Sequence, residues 1–244
     1  MGKRVRVPLS ELEAGERLLD PKTAHYLRDV LRLRAGETFL VFDPDTKLEA
    51  DARLAESSEG TYAGIGRLRE ASRSIESGIV LVQALGKGDK TEQVVRSATA
   101  LGVSEVHLVE SARSVARVGD RADSKHARLE AIALDAARQS GRTDCPKIVG
   151  PHALAVELAA WQEQQALKLC LVPGARHSLR ALTSDWSLGS PLAILIGPEG
   201  GLTPDEISAA ERAGFAAAAF GELILRTEIA GTAVLGALLL LAQS

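Results

Sequence analysis

Two glycine-led loops in the last fifty or so residues carry the residue types that could do chemistry. The apolar run Leu192–Ile196 meets Gly197-Pro-Glu-Gly-Gly201, and a shorter run, Ala216–Phe220, meets Gly221-Glu-Leu-Ile-Leu-Arg-Thr-Glu228. Glycines let a backbone approach the edge of a flat, uncharged ligand, and Pro198 stiffens the first turn. Neither loop has the G-x-G-x-x-G spacing of a dinucleotide site or the G-x-x-x-x-G-K-[ST] of a phosphate loop. No Lys or Arg follows Gly201, so a polyphosphate would lack its usual cation. Two backbone-dominated loops at strand ends favour a small-molecule site.

The elements that must position these loops follow from periodicity. Thr203-Pro-Asp-Glu206 is a capping box with Pro at the first helical position, so it starts a helix that Gly214 ends. Arg226-Thr-Glu228 opens the last helix. Thr227 is expected to cap it, and Ala230, Ala233, Val234, Ala237, Leu238 and Leu241 to form its buried stripe. Upstream, strands at 78–85, 106–109, 167–172 and 192–196 alternate with helices at 89–101, 123–139 and 154–164. That alternation implies a mostly parallel sheet covered by helices, with ligands outside the carboxyl ends of the strands. Val172-Pro-Gly174 should therefore converge with the two glycine loops. Residues 1–72 differ: short strands at 38–43, 48–54 and 61–68 and one helix, with Ala24, Leu27, Val30 and Leu31 on one face, suggest a small barrel. The polar stretch 69–77 reads as a linker, giving domains 1–72 and 73–244.

The 244 residues, at net charge −3, exclude bulk positive charge as a means of binding nucleic acid. Its distribution allows a local basic edge: residues 1–34 hold eight Lys/Arg against five acids, whereas 35–72 hold four against eight. Cys145 and Cys170 lack metal-ligand or C-x-x-C spacing, so no metal site is expected. The apolar runs are too short to span a bilayer, and the first residues lack a signal-peptide core. A cytoplasmic protein is expected.

The wording of the motifs adds a resemblance. Ile196-Gly-Pro-Glu-Gly-Gly-Leu202 followed by Leu225-Arg-Thr-Glu228 resembles the signature pair of the RsmE-type 16S ribosomal RNA uridine methyltransferases, of the SPOUT class. Gln139-Ser-Gly-Arg142 is similar to a third family segment, and Gly86-Lys-Gly-Asp-Lys90 with 94–102 to a fourth. The N-terminal third resembles the family's PUA-like RNA-binding barrel. One departure stands out: Ile229 occupies the place where the family usually has Thr.

The resemblance implies an α/β protein with an N-terminal PUA-like β-barrel and a SPOUT domain whose parallel sheet carries a trefoil knot. It implies S-adenosylmethionine as methyl donor, a homodimer, and methylation of a uridine ring N3 in 16S ribosomal RNA within the small subunit. The cofactor would lie against Val172, Pro173, Ile196, Gly197, Pro198, Glu199, Gly200, Gly201, Gly221, Leu223, Ile224, Leu225 and Thr227. Arg226 and Arg142 would stabilise the imidate formed as N3 loses its proton, and Glu199 or Glu228 is a candidate acceptor. Arg4, Arg6, Arg28, Arg32, Arg34, Lys87 and Arg142 would meet RNA phosphates, and Tyr26 is the one obvious ring to stack on an extruded base. Two alternatives stay open: a SPOUT methyltransferase acting on another RNA nucleotide, for instance at a ribose hydroxyl, and a non-catalytic RNA-binding ribosome-assembly factor.

Overall fold

The computed structural model describes residues 5–71, 77–114 and 122–242. These cluster into two compact units. The first holds residues 5–71 and 137–145, and the second the remainder. A boundary at 72/73 does not foresee the return of 137–145, because tertiary contacts cause it. Arg138 lies over the Tyr26 ring at 4.3 Å, and Arg6 donates to the Arg142 carbonyl and the Thr143 hydroxyl. The linker reading at 69–77 falls largely outside the described residues.

In the first unit, β1 (Arg6–Pro8), β2 (Gly15–Leu18), β3 (Thr38–Asp43), β4 (Leu48–Ser57), β5 (Gly60–Ile65) and β6 (Arg69–Glu70) form one sheet. Its order is β1-β3-β4-β5-β2, with β6 on β4. Strict alternation buries Ala50, Ala52 and Leu54 of β4 and Ala63 and Ile65 of β5 against Phe39, Val41 and Leu27. The helical stretch is α1 (Pro21–His25), capped by Asp20, followed by a π turn at Tyr26–Val30. The wider turn changes the angular spacing of side chains. Leu27 is therefore fully buried while Val30, expected on the same face, is exposed.

The second unit contains β7 (Ile79–Ala84), α2 (Lys90–Ala100), β8 (Glu105–Glu110), α3 (Ala122–Ser140), β9 (Lys147–Ala153), α4 (Leu154–Trp161), β10 (Leu167–Leu171), β11 (His177–Ser178), α5 (Leu179–Leu182), β12 (Leu192–Ile196), α6 (Pro204–Arg212), β13 (Ala216–Ala219) and α7 (Thr227–Leu241). Only the last residues of α3, from Ala137, belong to the first unit. The strands form one parallel sheet in the order β11-β13-β10-β12-β7-β8-β9. Both faces are covered, which is why β12 is apolar throughout rather than alternating. Leu192, Ile194 and Ile196 pack with Val94, Val95, Val234 and Leu238, residues of α2 and α7. Ala193 and Leu195 pack with Leu158, Ala210 and Phe215 on the α4 and α6 side. β9 was not expected, because Gly150-Pro151 inside it reads as a break.

Two polar devices hold the second layer. Lys168 on β10 is 8% exposed, and its ammonium donates to the carbonyls of Trp161, Gln162 and Ala213. One cation thus serves the carboxyl ends of α4 and α6, where carbonyls lack helical partners. Beside it, buried Glu157 accepts from His107, His152 and Trp161, and His107 also bonds Glu105. Among the described residues, no helix is long and apolar enough to cross a membrane.

Candidate functional site

The carboxyl ends of β10, β12 and β13 open into a cleft of about 870 Å³. Leu171–Gly174, Ile196–Leu202 and Phe220–Thr227 line it, with Lys90, Ile207 and Ala230. Every residue expected to meet the cofactor is among them. The first unit has a smaller hollow of about 300 Å³ along Glu11–Arg17, with Glu11, Glu13 and Glu16 in its wall. Arg17 there is turned onto the carbonyls of Ser10 and Glu11. Such a wall does not suit an anionic partner.

The Gly197–Gly201 turn is closed on itself by a bond from the Gly201 amide to the Pro198 carbonyl at 2.9 Å. It is then tied from outside at three residues. Thr227 donates its hydroxyl to the Gly197 carbonyl at 2.7 Å. The Lys87 amide donates to Glu199 at 2.9 Å, and Arg113 donates to the Gly200 carbonyl at 2.9 Å. Glycine suits position 197 because a Cβ would sit 3.1 Å from both the amide nitrogen and Cγ of Leu202, a tight contact. At Gly200 a Cβ would press the Arg113 stem at 3.3 Å. The helix behind the turn starts as its sequence requires: Thr203 and Glu206 form the reciprocal capping box with Pro204 at the first position. Glu206 also accepts from the Ala112 amide at 2.7 Å.

Electrostatics make Glu199 an anchor. Lys90 bridges Glu199 at 3.0 Å and Glu228 at 3.4 Å. Burial pushes the Glu199 carboxyl up, but the Lys87 amide and the Lys90 ammonium outweigh it and hold it below the usual carboxylate range. A carboxylate so stabilised is a weak proton acceptor. Its bond to Glu199, with help from Glu228, raises the Lys90 pKa. Gly86 leaves room for this arrangement, since a Cβ there would meet Lys90 Cβ at 3.0 Å and Glu199 Oε1 at 3.4 Å.

On the second loop, Leu223 and Ile224 are 81% and 80% exposed at the cleft edge. Arg226 is the N-cap residue of α7, with no side-chain cap bond. It is exposed and lines the cleft, and its guanidinium makes no ion pair or hydrogen bond among the described residues. The cap expected from Thr227 is not formed. Thr227 is the first helical residue, and its hydroxyl is committed to Gly197. The buried stripe of α7 is also shifted: Gly231 and Leu235 are buried with Ala230, Val234 and Leu238, and Leu241 is exposed. A Cβ at Gly231 would meet Leu81 and Ile196 at 3.4 Å, an ordinary contact. Ile229 is half exposed and is not a lining residue.

The remaining candidates separate. Arg142 belongs to the first unit and is 2% exposed, with its guanidinium on Asp144 at 2.5 and 3.2 Å. That burial and pairing remove it from both its expected roles. Arg6 is likewise engaged, lying over Phe42 at 5.0 Å and near Glu49 at 3.6 Å. Arg28 pairs with Glu56 at 3.0 Å. One face of Tyr26 is already covered by Arg138. Arg32, Arg34 and Lys87 remain exposed, and Arg4 lies outside the described residues. Burial holds the thiols of Cys145 and Cys170 at about 11 and about 12, so neither is reactive. Sequence reading missed Gln83, Lys90 and Arg113. Lys90 had a signal, the glycines on either side of Lys87; the other two depend on partners distant in sequence.

The sheet, cleft and strand-end loops are those of an RNA methyltransferase. The RNA methyltransferase domain family model matches residues 74–239, and the RNA methyltransferase PUA domain model matches residues 19–62. The chain belongs to the ribosomal RNA small subunit methyltransferase E family. The family's Synechocystis protein is 31% identical over 222 residues, covering 90% of this chain and 71% of its own. The Bacillus subtilis protein is 29% identical over 223 residues, covering 88% and 86%. The crystal structure of the Neisseria gonorrhoeae ribosomal RNA small subunit methyltransferase E bound to S-adenosylmethionine superposes with a TM-score of 0.84 at 27% identity, over 98% of both chains.

Proposed function

We propose that this chain methylates the ring N3 of a uridine in 16S ribosomal RNA, with S-adenosylmethionine held in the strand-end cleft. The convergence of the Gly197–Gly201 turn and the Gly221–Arg226 loop on one cleft carries the reading. The residues suit that cofactor. Val172, Ile196, Leu202 and Leu225 offer apolar surface to an adenine, and the open space beside Gly201 and Gly221 lets its polar edge approach the backbone. When bound, the cofactor supplies an electrophilic methyl group on a sulfonium.

The protein's own part is orientation and charge. The turn is tied at three of its residues by bonds within the chain, which lowers the cost of alignment. Arg226 is a permanent cation at the cleft edge, free to meet the oxygen charge that develops as uracil loses its N3 proton. Glu199 is better suited to holding the turn than to taking that proton. Arg32 and Arg34 are available to RNA phosphates, whereas Arg6 and Arg142 support the fold of the first unit. The protein would work in the cytoplasm on the small subunit. The knotted path implied by the family resemblance belongs to this reading. So does a homodimer, for which the exposed Ile229, Leu240 and Leu241 of α7 offer apolar surface.

Nucleoside mass spectrometry of 16S RNA from a deletion strain tests the reaction. An N3-methyluridine should disappear and return on complementation with the wild-type gene. An unchanged N3-methyluridine level, or the loss of a ribose-methylated nucleoside instead, would overturn the assignment. Sedimentation of the purified chain tests the dimer, which Leu240→Glu should weaken.

A further inference from the structure

We propose that Gln83 is a positioning residue for the cofactor turn, acting through Thr227. The inference rests on reading the Gly197–Gly201 turn as a cofactor contact. Gln83 lies near the end of β7, in register with Ile196 of β12, the residue immediately before the turn. Its amide nitrogen donates to the Ala84 carbonyl and to the Thr227 hydroxyl, both at 3.0 Å. Thr227 in turn donates to the Gly197 carbonyl at 2.7 Å.

A threonine hydroxyl has one proton to give. With the Gln83 N–H occupying an oxygen lone pair, the Thr227 proton is directed away from Gln83 and onto Gly197. The carbonyl it fixes belongs to the Gly197–Pro198 peptide, whose nitrogen has no hydrogen and cannot be held from the other side. The relay therefore sets the plane from which the turn departs.

Gln83 is costly for the fold. It is 1% exposed, and its Oε1 has no hydrogen-bond partner among the described residues. A buried, unpaired amide oxygen is unfavourable, and a methionine of similar length removes that penalty while also withdrawing the donor from the Ala84 carbonyl. The two effects on stability offset, so Gln83→Met should lower site order with little change in stability.

Calorimetry with S-adenosylmethionine and S-adenosylhomocysteine, thermal unfolding, and hydrogen exchange of the ligand-free protein at residues 199–202 test the relay together. Gln83→Met should weaken cofactor binding by about 5- to 10-fold, the equilibrium equivalent of one hydrogen bond. Its Tm should change little, and its turn should exchange faster. Thr227→Val should weaken binding similarly, and Thr227→Ser should stay near wild type. The Gln83→Met/Thr227→Val double variant should be no weaker than the weaker single variant, because both break one chain of bonds. Wild-type affinity and turn exchange in Gln83→Met overturn the relay. Multiplying losses in the double variant, or a loss of affinity matched by a fall in Tm, do the same. A wild-type protein that binds neither ligand overturns the reading of the cleft; faster turn exchange in Gln83→Met would still support the relay.

Discussion

Arg226 and Arg142 show what a residue's type leaves undecided. Both are arginines near helix ends, and both suit charge stabilisation by composition. Arg142 is consumed by Asp144 in the interior of the first unit, and Arg226 stands exposed at the cleft. Replacing Arg226 with Ala should slow single-turnover methylation by about 100-fold or more, by analogy with loss of one oxyanion donor. Lys should recover only part of the rate, since it keeps the charge but not the planar fork. Cofactor affinity measured by calorimetry should hardly change in either variant. A normal rate for Arg226→Ala at saturating RNA would reduce Arg226 to a docking role. The motif at Gly197–Gly201 was legible because its chemistry is local: glycines, a proline and a capping box within ten residues. Gln83 and Arg113 were not legible, because their only distinction is a partner more than eighty residues away.

At the scale of elements, strands and helices of the second unit could be read closely. Their apolar runs are bounded by caps and glycines, and the Leu192–Ile196 strand appears with the expected bounds. Errors arose where geometry departs from one period. The π turn rotated Val30 outward, and the buried stripe of α7 runs through Leu235 rather than Leu241. The layer between β10 and the α4 and α6 helices depends on buried charge, which periodicity does not reveal. Lys168→Met should leave helix-end carbonyls without a donor at about 1–3 kcal/mol each. Thermal unfolding should register roughly 2–4 °C for each kcal/mol; an unchanged Tm would show that water replaces the ammonium.

The Glu157 cluster sets a pH window for the same layer. Burial raises the Glu157 carboxyl, but the bonds from His107, Trp161 and His152 outweigh it and hold it at about 2, against an ordinary 4.5. Its contribution is therefore present above about 4.5 and is lost as pH falls toward 2. Burial lowers His107, but Glu157 and Glu105 outweigh that and raise it from 6.5. Its contribution is complete below 6.5 and is lost as pH rises through the raised value. Urea titrations should find this pair most stabilising between about 4.5 and 6.5. Glu157→Gln should flatten both limbs; a profile identical to wild type would exclude the cluster as their source.

For the whole molecule, a net charge of −3 concealed a local division of labour. Of the basic edge read from residues 1–34, Arg6 is spent on an internal partner, Arg28 pairs with Glu56 at the surface, and Arg32 and Arg34 stay exposed without such a pair among the described residues. Changing Arg32 and Arg34 to Gln should weaken RNA binding and make it less sensitive to salt. The slope should fall by roughly 0.7–0.9 for each phosphate that is no longer neutralised. Cofactor affinity should not move. An unaltered slope would place the RNA elsewhere.

The strand order also determines when the cleft can exist during synthesis. β12 lies between β7 and β10, and β13 lies beyond β10. A nascent chain that has emerged as far as β10 therefore has strands whose sheet neighbours have not yet been made. The turn after β12 has its full set of ties only once Thr227 arrives, and the face packed by α7 stays bare until Leu238 does. Until then the emerging sheet exposes apolar edges and surface, the condition in which chains associate wrongly. Completion should thus come as a late, single step, and a nascent chain cut short within α7 is a client for chaperones rather than a weaker enzyme.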